Sequence, residues 1–391
     1  MAEVFDGPHA TPVKTEEGPW FLSISSLISG RLELSESAHL SEQDFKHWTR
    51  RVTPSPGDIL FSYETRLGEA ALMPGGIRAA LGRRMGLLRP RRELVEPRFL
   101  LLAYLSPDFQ QVIQTRKIHG ATVDRIPLVE LPKWPIRIPE LSTQRRISAV
   151  LGALDDKIAV NDRIAATLDD LSHVLFSKHF SPAAKSQDWQ TGKLSDLCGT
   201  QYGYTASSTD ASIGPRLLRV KDINKENWID WPNVPYCQIS ADKFDKYRLG
   251  RGDIVVARMA DPGKSAIVEE DEEEAVFASY LVRLKTASLT HAYFVWGFLK
   301  SERYQDYVAA SKSGSVQSNM NAKAIVGASL DIPPQELMQK HFEMVDPLRQ
   351  KLLAVLRESR ALVALRDQLL PELMSGRLQI REVEKVIEEA V

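Results

Sequence analysis

The chain has 391 residues, of which 43% are hydrophobic and 26% are charged, and its formal net charge is -1. This composition is typical of a globular protein with two or three domains and excludes a disordered or fibrous chain. The two cysteines, Cys198 and Cys237, lack CxxC spacing, which excludes a four-cysteine zinc site and favours free thiols in a reducing compartment. The longest apolar runs are far shorter than the roughly 20 residues of a membrane span, so we expect a cytoplasmic protein with no membrane partner.

The first elements in chain order predict a mixed α/β domain that contains a basic segment. Short β-rich runs such as Asp58 to Phe61 lie between Gly, Pro and Asp turn signals, and the stretch from Pro90 to Pro107 contains a helix. Between Arg78 and Arg125 there are ten Arg or Lys residues against four acids. This excess predicts a phosphate-binding surface, although a solvated basic face explains it equally well.

A long amphipathic helix is predicted next, from about Leu141 to Phe176. Its apolar side chains recur at alternating spacings of four and three, the repeat of a coiled-coil seam, and Pro139 precedes it. The predicted seam positions are Leu151, Leu154, Ile158, Asn161, Leu168 and Leu175. An Asn at a seam often fixes the register of the helices, although Asn161 also fits the edge of the apolar stripe.

The second half of the chain repeats the first at an offset of about 195 residues. Gly57-Asp58-Ile59 matches Gly252-Asp253-Ile254, and Ile138-Pro139 matches Ile332-Pro333. A second long helix is predicted after Pro334, with its weaker seam at Leu348, Leu352, Leu362 and Leu369. Extra apolar residues beside both seams indicate a further partner surface.

The repeat predicts an α+β fold with two similar mixed domains separated by two long helices. The matched positions are mostly glycine or apolar, whereas polar positions differ, as with Tyr63 against Arg258. A shared scaffold with different polar side chains is typical of two similar surfaces that bind different targets.

No pattern in the chain indicates a catalytic or cofactor site. Asp261 to Ser265 resembles the end of a phosphate-binding loop, but Arg258 occupies the position of the required first glycine. A nuclease would have Asp58 with Glu64 and Arg66 as its nearest acidic cluster, although the second half has Arg258-Met259-Ala260, without an acid, in place of Tyr63-Glu64-Thr65. A scaffold protein that binds only other proteins is a further alternative. We therefore expect a binding protein and no enzyme.

Several sequence blocks resemble conserved regions of the specificity subunit of type I restriction-modification systems. The blocks Ile138 to Ile147, Leu151 to Ile158 and Asn161 to Ile164 look like the central conserved region of that family. Ile332 to Pro334, together with Leu365 to Gly376, is similar to its C-terminal conserved region. With the two Gly-Asp-Ile blocks, the resemblance covers nearly the whole chain.

The resemblance implies a non-catalytic subunit in which each of two target-recognition domains binds one part of a split double-stranded DNA sequence. The two long helices are expected to pack antiparallel as a coiled-coil spacer and to hold two modification (methyltransferase) subunits. Those subunits would bind S-adenosylmethionine and methylate adenine, and restriction (motor-nuclease) subunits would join for cleavage. No cofactor or metal is expected on this chain. A first helix of about 54 Å would suffice to place two domains about one DNA turn, or 34 to 36 Å, apart.

These observations predict both domain boundaries and DNA-binding residues. The predicted parts are recognition domain 1 (1–136), the central helical spacer (137–182), recognition domain 2 (183–331), and the C-terminal helical spacer with its tail (332–391). Polar loops outside the apolar periodicity supply the candidate DNA contacts, which are Arg83, Arg84, Arg116, Lys117, His119, Lys221, Arg258, Lys264, Gln317 and Asn319.

One part of the repeat has no counterpart where it is expected. The second domain begins with Trp189 to Leu197, and the matching residues of the first domain would lie before Met1. Either the true start lies further upstream, or the tail Arg377 to Val391 closes the first domain from the other end. The second alternative would make the arrangement nearly circular.

Overall fold

The computed structural model describes residues 1–28, 30–120, 123–271, 274–312 and 319–378. The chain forms two compact units. Unit 1 comprises Met1–Val160 and Ser359–Val391, and unit 2 comprises Asn161–Glu358. Unit 1 is therefore built from both ends of the chain. Among the described residues, no helix is long and apolar enough to cross a membrane.

Unit 1 contains short strands and three short helices. Its strands are β1 (Ala2–Asp6), β2 (Thr15–Leu22), β3 (Leu27–Ile28), β4 (Arg31–Leu32), β5 (Ala38–His39), β6 (Ile59–Ser62), β7 (Ala70–Leu72), β8 (Ala79–Leu81) and β9 (Met85–Pro90). Its short helices are α1 (Glu42–Trp48), α2 (Pro97–Leu105) and α3 (Pro107–Arg116). The long helix α4 (Leu141–Phe180) begins here and extends slightly beyond the predicted Phe176.

The main sheet of unit 1 is antiparallel and has the strand order β1-β9-β6-β7. Strand β2 pairs in parallel with β8 beside it. Helix α2 begins at Pro97, and the Glu96 side chain caps it by accepting the Phe99 N–H at 2.6 Å. Residues Phe99 to Tyr104 of α2 are buried in the core that also contains Phe61 of β6. The apolar run of α2 thus covers one face of the sheet.

Unit 2 repeats this plan. Its strands are β10 (Gln190–Lys193), β11 (Cys198–Tyr202), β12 (Arg216–Leu218), β13 (Ile254–Ala257), β14 (Ser265–Ile267), β15 (Ala275–Phe277), β16 (Leu281–Thr286) and β17 (Ser329–Ile332). Its helices are α5 (Ala241–Tyr247), α6 (Leu289–Lys300), α7 (Glu302–Lys312) and α8 (Ala322–Ile325), and the long helix α9 (Gln335–Ser375) begins in it.

The strand order of the main sheet in unit 2 is β11-β16-β13-β14, and β12 pairs in parallel with β15. The same order of equivalent strands therefore occurs in both units, and the predicted α+β fold with an internal repeat is confirmed. Strand β10 pairs with β17 at the start of unit 2. One of the two alternatives for its counterpart in unit 1 is the tail Arg377 to Val391, of which residues 379–391 lie outside the described residues.

The two long helices contact each other in antiparallel orientation. In unit 2, the side-chain amide of Asn161 in α4 donates to the carboxylate of Glu358 in α9 at 3.0 Å. Nδ1 of His179 lies 3.1 Å from Nδ1 of His341. Residue numbers thus rise along α4 while they fall along α9. In unit 1, Arg366 of α9 donates to Asp155 of α4 at 2.9 Å.

The predicted seam residues lie along these contacts. Leu151 and Leu154 are buried in one cluster with Leu370 and Leu373, against which Leu362 and Leu369 pack. In unit 2, Ala165 shares a cluster with Leu352, and Leu168 packs against it. Ile158 and Asn161 are buried, whereas Leu175 and Leu348 are half-buried.

Candidate nucleic-acid interface

Each unit contains the same strained turn after the central strand of its main sheet. The turn follows β6 in unit 1 and β13 in unit 2, and it holds a non-glycine residue at positive φ in both: Thr65 at 69° and Ala260 at 64°. Gly68 and Gly263 follow at 91° and 92°. A left-handed non-glycine residue costs roughly 1 to 2 kcal/mol, and such strain is concentrated at functional sites. The repeat therefore marks these two turns as candidate binding elements.

Two backbone hydrogen bonds hold each turn in the same way. Tyr63 donates its N–H to Arg84 at 3.2 Å and accepts from Ile126 at 2.8 Å. Arg258, at the equivalent position, donates to the carbonyl of Tyr280 at 2.9 Å and accepts from Met320 at 2.9 Å. In both units these bonds join three segments: the turn after β6 or β13, the turn before β9 or β16, and the segment that follows α3 or α7.

In unit 2 this arrangement brings a cation and two tyrosines together. The guanidinium of Arg258 lies over the ring of Tyr202, with its Cζ atom 5.0 Å from the ring centroid. The hydroxyl of Tyr202 accepts the N–H of Ala322 at 2.9 Å, which fixes the ring. Tyr202 is 45% exposed, and Tyr280, whose carbonyl binds Arg258, is 56% exposed. Exposed aromatic rings beside a cation suit nucleic-acid binding.

The other predicted residues of unit 2 have different positions. Lys264 is exposed at the end of the strained turn, and Asn319 is exposed next to Met320, whose N–H donates to Arg258. Lys221 is exposed in a separate short helical turn, Val220–Asp222. Gln317 lies outside the described residues. The structure thus places Arg258, Lys264 and Asn319 near one turn, with Lys221 in another part of the unit.

In unit 1 the predicted cations lie beside acids. Arg84 has a φ of 70° in the turn between β8 and β9, where Arg83 is exposed. The Nε atom of Arg84 lies 3.2 Å from a carboxylate oxygen of Glu64, and its Nη1 donates to the Thr65 hydroxyl at 3.3 Å. This cation is therefore partly neutralised in the free protein.

The segment after α3 holds the remaining predicted residues of unit 1. Arg116 is the exposed last residue of α3. Lys117 and His119 contact the same carboxylate, Asp124, at 2.9 and 2.8 Å. These two neighbours hold the pKa of Asp124 below its usual value, Lys117 having the larger effect. A short bridge between Ile118 and Arg125 closes this loop.

Many arginines of the basic segment have structural partners. Arg89 binds the buried carboxylate of Asp58 at 2.7 Å, Arg78 binds Glu42 at 2.7 Å, and Arg98 binds Asp156 at 2.7 Å. The cations of this segment are thus divided between those paired with acids and exposed ones such as Arg83 and Arg116. Since Asp58 pairs with Arg89 and Glu64 with Arg84, these acids are engaged as ion-pair partners. No group of three or more His, Cys, Asp or Glu side chains suited to a metal occurs in the part of the chain that the structure describes.

Sequence reasoning missed Tyr202 and Tyr280 in unit 2, and Glu64 and Asp124 as partners of the cations in unit 1. The repeat contained a usable signal, because at an offset of 196 Tyr280 matches Arg84. Both residues supply the carbonyl that binds the strained turn. A comparison of the two halves position by position would have identified Tyr280.

The long helices also expose apolar side chains. Leu171 and Val174 of α4 are 41% and 60% exposed, and Leu365 and Met344 of α9 are 36% and 41% exposed. At the offset of 194, Leu171 and Leu365 are equivalent positions of the repeat. Of the extra apolar residues that the sequence places beside the seams, Val174 is exposed, whereas Val150 and Leu370 are buried in the core of unit 1.

Comparisons with known proteins find similarity to one kind of protein. Residues 35–169 match the family model described as the type I restriction modification DNA specificity domain. The chain is similar to the type I restriction enzyme MjaIX specificity subunit of Methanocaldococcus jannaschii, with 21% identity over 88% of this chain and 83% of that protein. It is also 29% identical to the HindI specificity subunit of Haemophilus influenzae, over 24% of this chain and 21% of that protein.

A solved structure shares the fold. The S subunit of a type I restriction-modification system from M. genitalium superposes with a TM-score of 0.58 at 16% sequence identity. The match covers 95% of this chain and 93% of that chain. The fold similarity therefore extends over both units and both long helices.

Proposed function

We infer that the chain belongs to the specificity-subunit family of type I restriction-modification systems. The match of residues 35–169 to the family model and the similarity to the MjaIX specificity subunit support this inference. Its function is the sequence-specific recognition of DNA. In our proposal the recognition domains are residues 1–136 and 183–331, the spacers are 137–182 and 332–391, and each domain binds one half of a bipartite site.

One observation carries the proposal that the two half-sites differ. The strained turn is held by the same backbone bonds in both units, yet the residue that makes these bonds is Tyr63 in unit 1 and Arg258 in unit 2. Tyr63 is buried, with 4% of its surface exposed, whereas Arg258 is half-buried beside exposed tyrosines. Hydrogen bonds to base edges supply the sequence information, so an exchange of side chains on one scaffold changes the sequence bound.

The exposed apolar side chains of the two long helices indicate where partner subunits bind. We propose that two modification subunits dock on α4 and α9, where Leu171 and Leu365 present equivalent exposed apolar positions. Methylation of adenine at N6 and binding of S-adenosylmethionine belong to those subunits, and restriction subunits join the larger complex. This division agrees with the absence of a catalytic motif in the sequence.

The experiment uses the chain bound to its modification subunits. Genome-wide mapping of methylated adenines should give a bipartite sequence with two different halves. Exchange of residues 1–136 for the matching domain of a relative should then change one half and leave the other intact. Alteration of both halves by this exchange, or DNA binding that does not depend on sequence, would contradict the proposed function.

A further inference from the structure

We propose that Arg258 recognises a guanine in the half-site bound by unit 2, and that Tyr202 is the positioning residue of its guanidinium. This inference rests on the proposed function and assigns a base to one residue of that site. It starts from three observations on Arg258: its fixed backbone, its stacked side chain, and its lack of an acidic partner among the described residues.

The backbone of Arg258 is fixed on both sides. Its N–H donates to Tyr280 and its carbonyl accepts from Met320, each at 2.9 Å. The strained residue Ala260 follows in the same turn. The Cα–Cβ bond of Arg258 therefore has one direction in the free protein, and binding need not order the turn.

The side chain is held by stacking. The guanidinium lies 5.0 Å over the ring of Tyr202, and the ring is itself held by the hydrogen bond from Ala322 to its hydroxyl. The Nε atom of Arg258 is buried and has no hydrogen-bond partner within the described residues. Stacking on an aromatic face fixes the plane of an arginine and leaves its outer N–H groups available.

Three other arginines of unit 2 have acidic partners. Arg251 pairs with Asp346 at 2.7 Å, Arg283 with Asp253 at 3.0 Å, and Arg349 with Glu269 at 2.7 Å. No such pair involves Arg258 in the part of the chain that the structure describes. An oriented guanidinium without an acidic partner, beside a candidate binding surface, is available to donate to a ligand with acceptor atoms.

The geometry favours a base over a phosphate as that ligand. A guanine presents O6 and N7 as two parallel acceptors in the major groove, and arginine binds both at once. A phosphate contact needs only charge, which the exposed Lys264 of the same turn provides without fixed orientation. A preoriented guanidinium loses little side-chain entropy on binding, so it is suited to the contact that requires one geometry.

Unit 1 cannot make the same contact from the equivalent position. Tyr63 replaces Arg258 there, and its side chain is buried against the core. The guanine requirement assigned to Arg258 therefore belongs to one half-site alone.

The test uses the complex of the full chain with its modification subunits and short duplexes that contain its methylation sequence. Each guanine in the unit 2 half-site is replaced in turn by 7-deazaguanine, which removes only the N7 acceptor. We expect one replacement to weaken binding by the wild-type complex, within the roughly 5- to 150-fold range of a base contact. That replacement should have no effect on the Arg258→Ala complex.

Two variants separate charge from geometry. Arg258→Lys keeps the charge but loses the paired N–H groups, so it should keep the salt dependence of binding and lose sensitivity to 7-deazaguanine. Lys264→Ala is the matched control in the same turn. It should weaken all DNA sequences alike and lower the salt slope by about one.

Tyr202 is tested by the same measurement, the ratio of the affinities for duplexes with guanine and with 7-deazaguanine. Tyr202→Leu removes the aromatic surface under Arg258 and should reduce the effect of 7-deazaguanine by a larger factor than it reduces affinity for unrelated DNA. Tyr202→Phe keeps the ring but removes the hydroxyl that binds Ala322, so it should retain more of the effect than Tyr202→Leu does. A purely structural role of Tyr202 would instead lower affinity for all sequences.

The possible outcomes separate this inference from the proposed function. A wild-type complex without any sequence preference would contradict the proposed function. A sequence-specific complex whose unit 2 half-site contains no guanine, or tolerates 7-deazaguanine at every position, would overturn the assignment of Arg258 alone. Uniform weakening by Arg258→Ala, with a smaller salt slope, would make Arg258 a phosphate contact and would also overturn it.

Discussion

Arg349 of α9 forms an ion pair with Asp169 of α4 inside unit 2, and its side chain is completely buried. Its guanidinium also binds both carboxylate oxygens of Glu269, at 2.7 and 2.9 Å, and lies 4.9 Å over the ring of Trp296. The backbone carbonyl of Asn227 accepts a further bond at 3.0 Å. One arginine therefore joins both long helices to the globular part of unit 2.

The first prediction concerns this buried arginine. Arg349→Met leaves two buried carboxylates without their cation, so the free energy of unfolding of unit 2 should fall by about 3 to 5 kcal/mol. Burial already raises the pKa of Glu269, which the charge of Arg349 opposes. Urea denaturation of the whole chain provides the measurement.

The matched control is Arg366→Met in unit 1. Arg366 binds Asp155, whose side chain is 24% exposed, so water can solvate the remaining carboxylate. The expected loss is about 1 kcal/mol or less. Equal losses for the two variants would show that burial does not determine the cost of removing the cation.

The second prediction concerns the loop of unit 1 that holds Asp124. Asp124→Asn removes the charge that pairs with Lys117 and His119, so Lys117 becomes free to bind phosphate. Affinity for all DNA sequences should rise, and the salt slope should increase by about one. Titration of the complex with unrelated duplexes at several salt concentrations measures both effects.

Glu93→Gln is the control for the change in net charge. Glu93 is exposed in the same basic segment. An equal rise in affinity for both variants would mean that the total charge matters and that release of Lys117 does not.

The sequence predicted the parts of this protein that depend on local pattern and on repetition. The seam of α4, with Leu151 and Leu154, follows from apolar spacing, and the equivalent strands β6 and β13 follow from the repeated Gly-Asp-Ile blocks. The ion pairs could not be predicted in this way. Arg349 and Asp169 are 180 residues apart, and their pairing depends on how the two long helices align in unit 2.

The same limit applies to the candidate binding surface. A count of charges in the sequence treats Arg83 and Arg89 alike, but the structure exposes Arg83 and pairs Arg89 with Asp58. Composition gives the number of cations, whereas tertiary contacts determine which of them remain available to phosphates. Tyr202 shows the converse, since its exposed ring has no charge that a search for basic loops would detect.

The third prediction separates the two faces of α4. Leu154 is buried in the core of unit 1, with 7% of its surface exposed. Leu154→Asp should therefore unfold that unit. A buried leucine contributes about 1.5 to 3 kcal/mol to stability, and burial of the new charge costs additional free energy. Leu171 is 41% exposed, so Leu171→Asp should leave the fold intact and weaken docking of a modification subunit. Thermal melting followed by circular dichroism reports the fold, and analytical ultracentrifugation reports the stoichiometry.

The control for docking is Leu365→Asp on α9, the equivalent position in the repeat. It should reduce the bound modification subunits in the same way as Leu171→Asp. If the Leu171→Asp chain and the Leu365→Asp chain each still bind two modification subunits, the docking surface lies elsewhere.

The last prediction concerns pH and the paired histidines of unit 2. His341 of α9 is buried, its Nδ1 lies 3.1 Å from Nδ1 of His179, and its ring centroid lies 4.8 Å from that of Phe180. Burial, and then the nearby His179, lower the pKa of His341 to about 4. Burial followed by the charges of Lys178 and Lys340 also lowers the pKa of His179. Both rings are therefore neutral in the folded protein at pH 7.

The sign of the effect on stability follows from the two pKa values of His341. In the unfolded chain a histidine has a pKa of about 6.5. Between this value and the folded value of about 4 the unfolded chain binds a proton that the folded chain does not bind, so stability falls as the pH falls through that window. The expected loss near pH 4 is about 3 kcal/mol, at about 1.4 kcal/mol per pKa unit, and none is expected above pH 7.

In urea denaturation between pH 4.5 and 8, His341→Phe should flatten this dependence, whereas His47→Gln, a change at an exposed ring in unit 1, should retain it. An unchanged pH dependence in the His341→Phe variant would mean that other groups cause the loss of stability in acid.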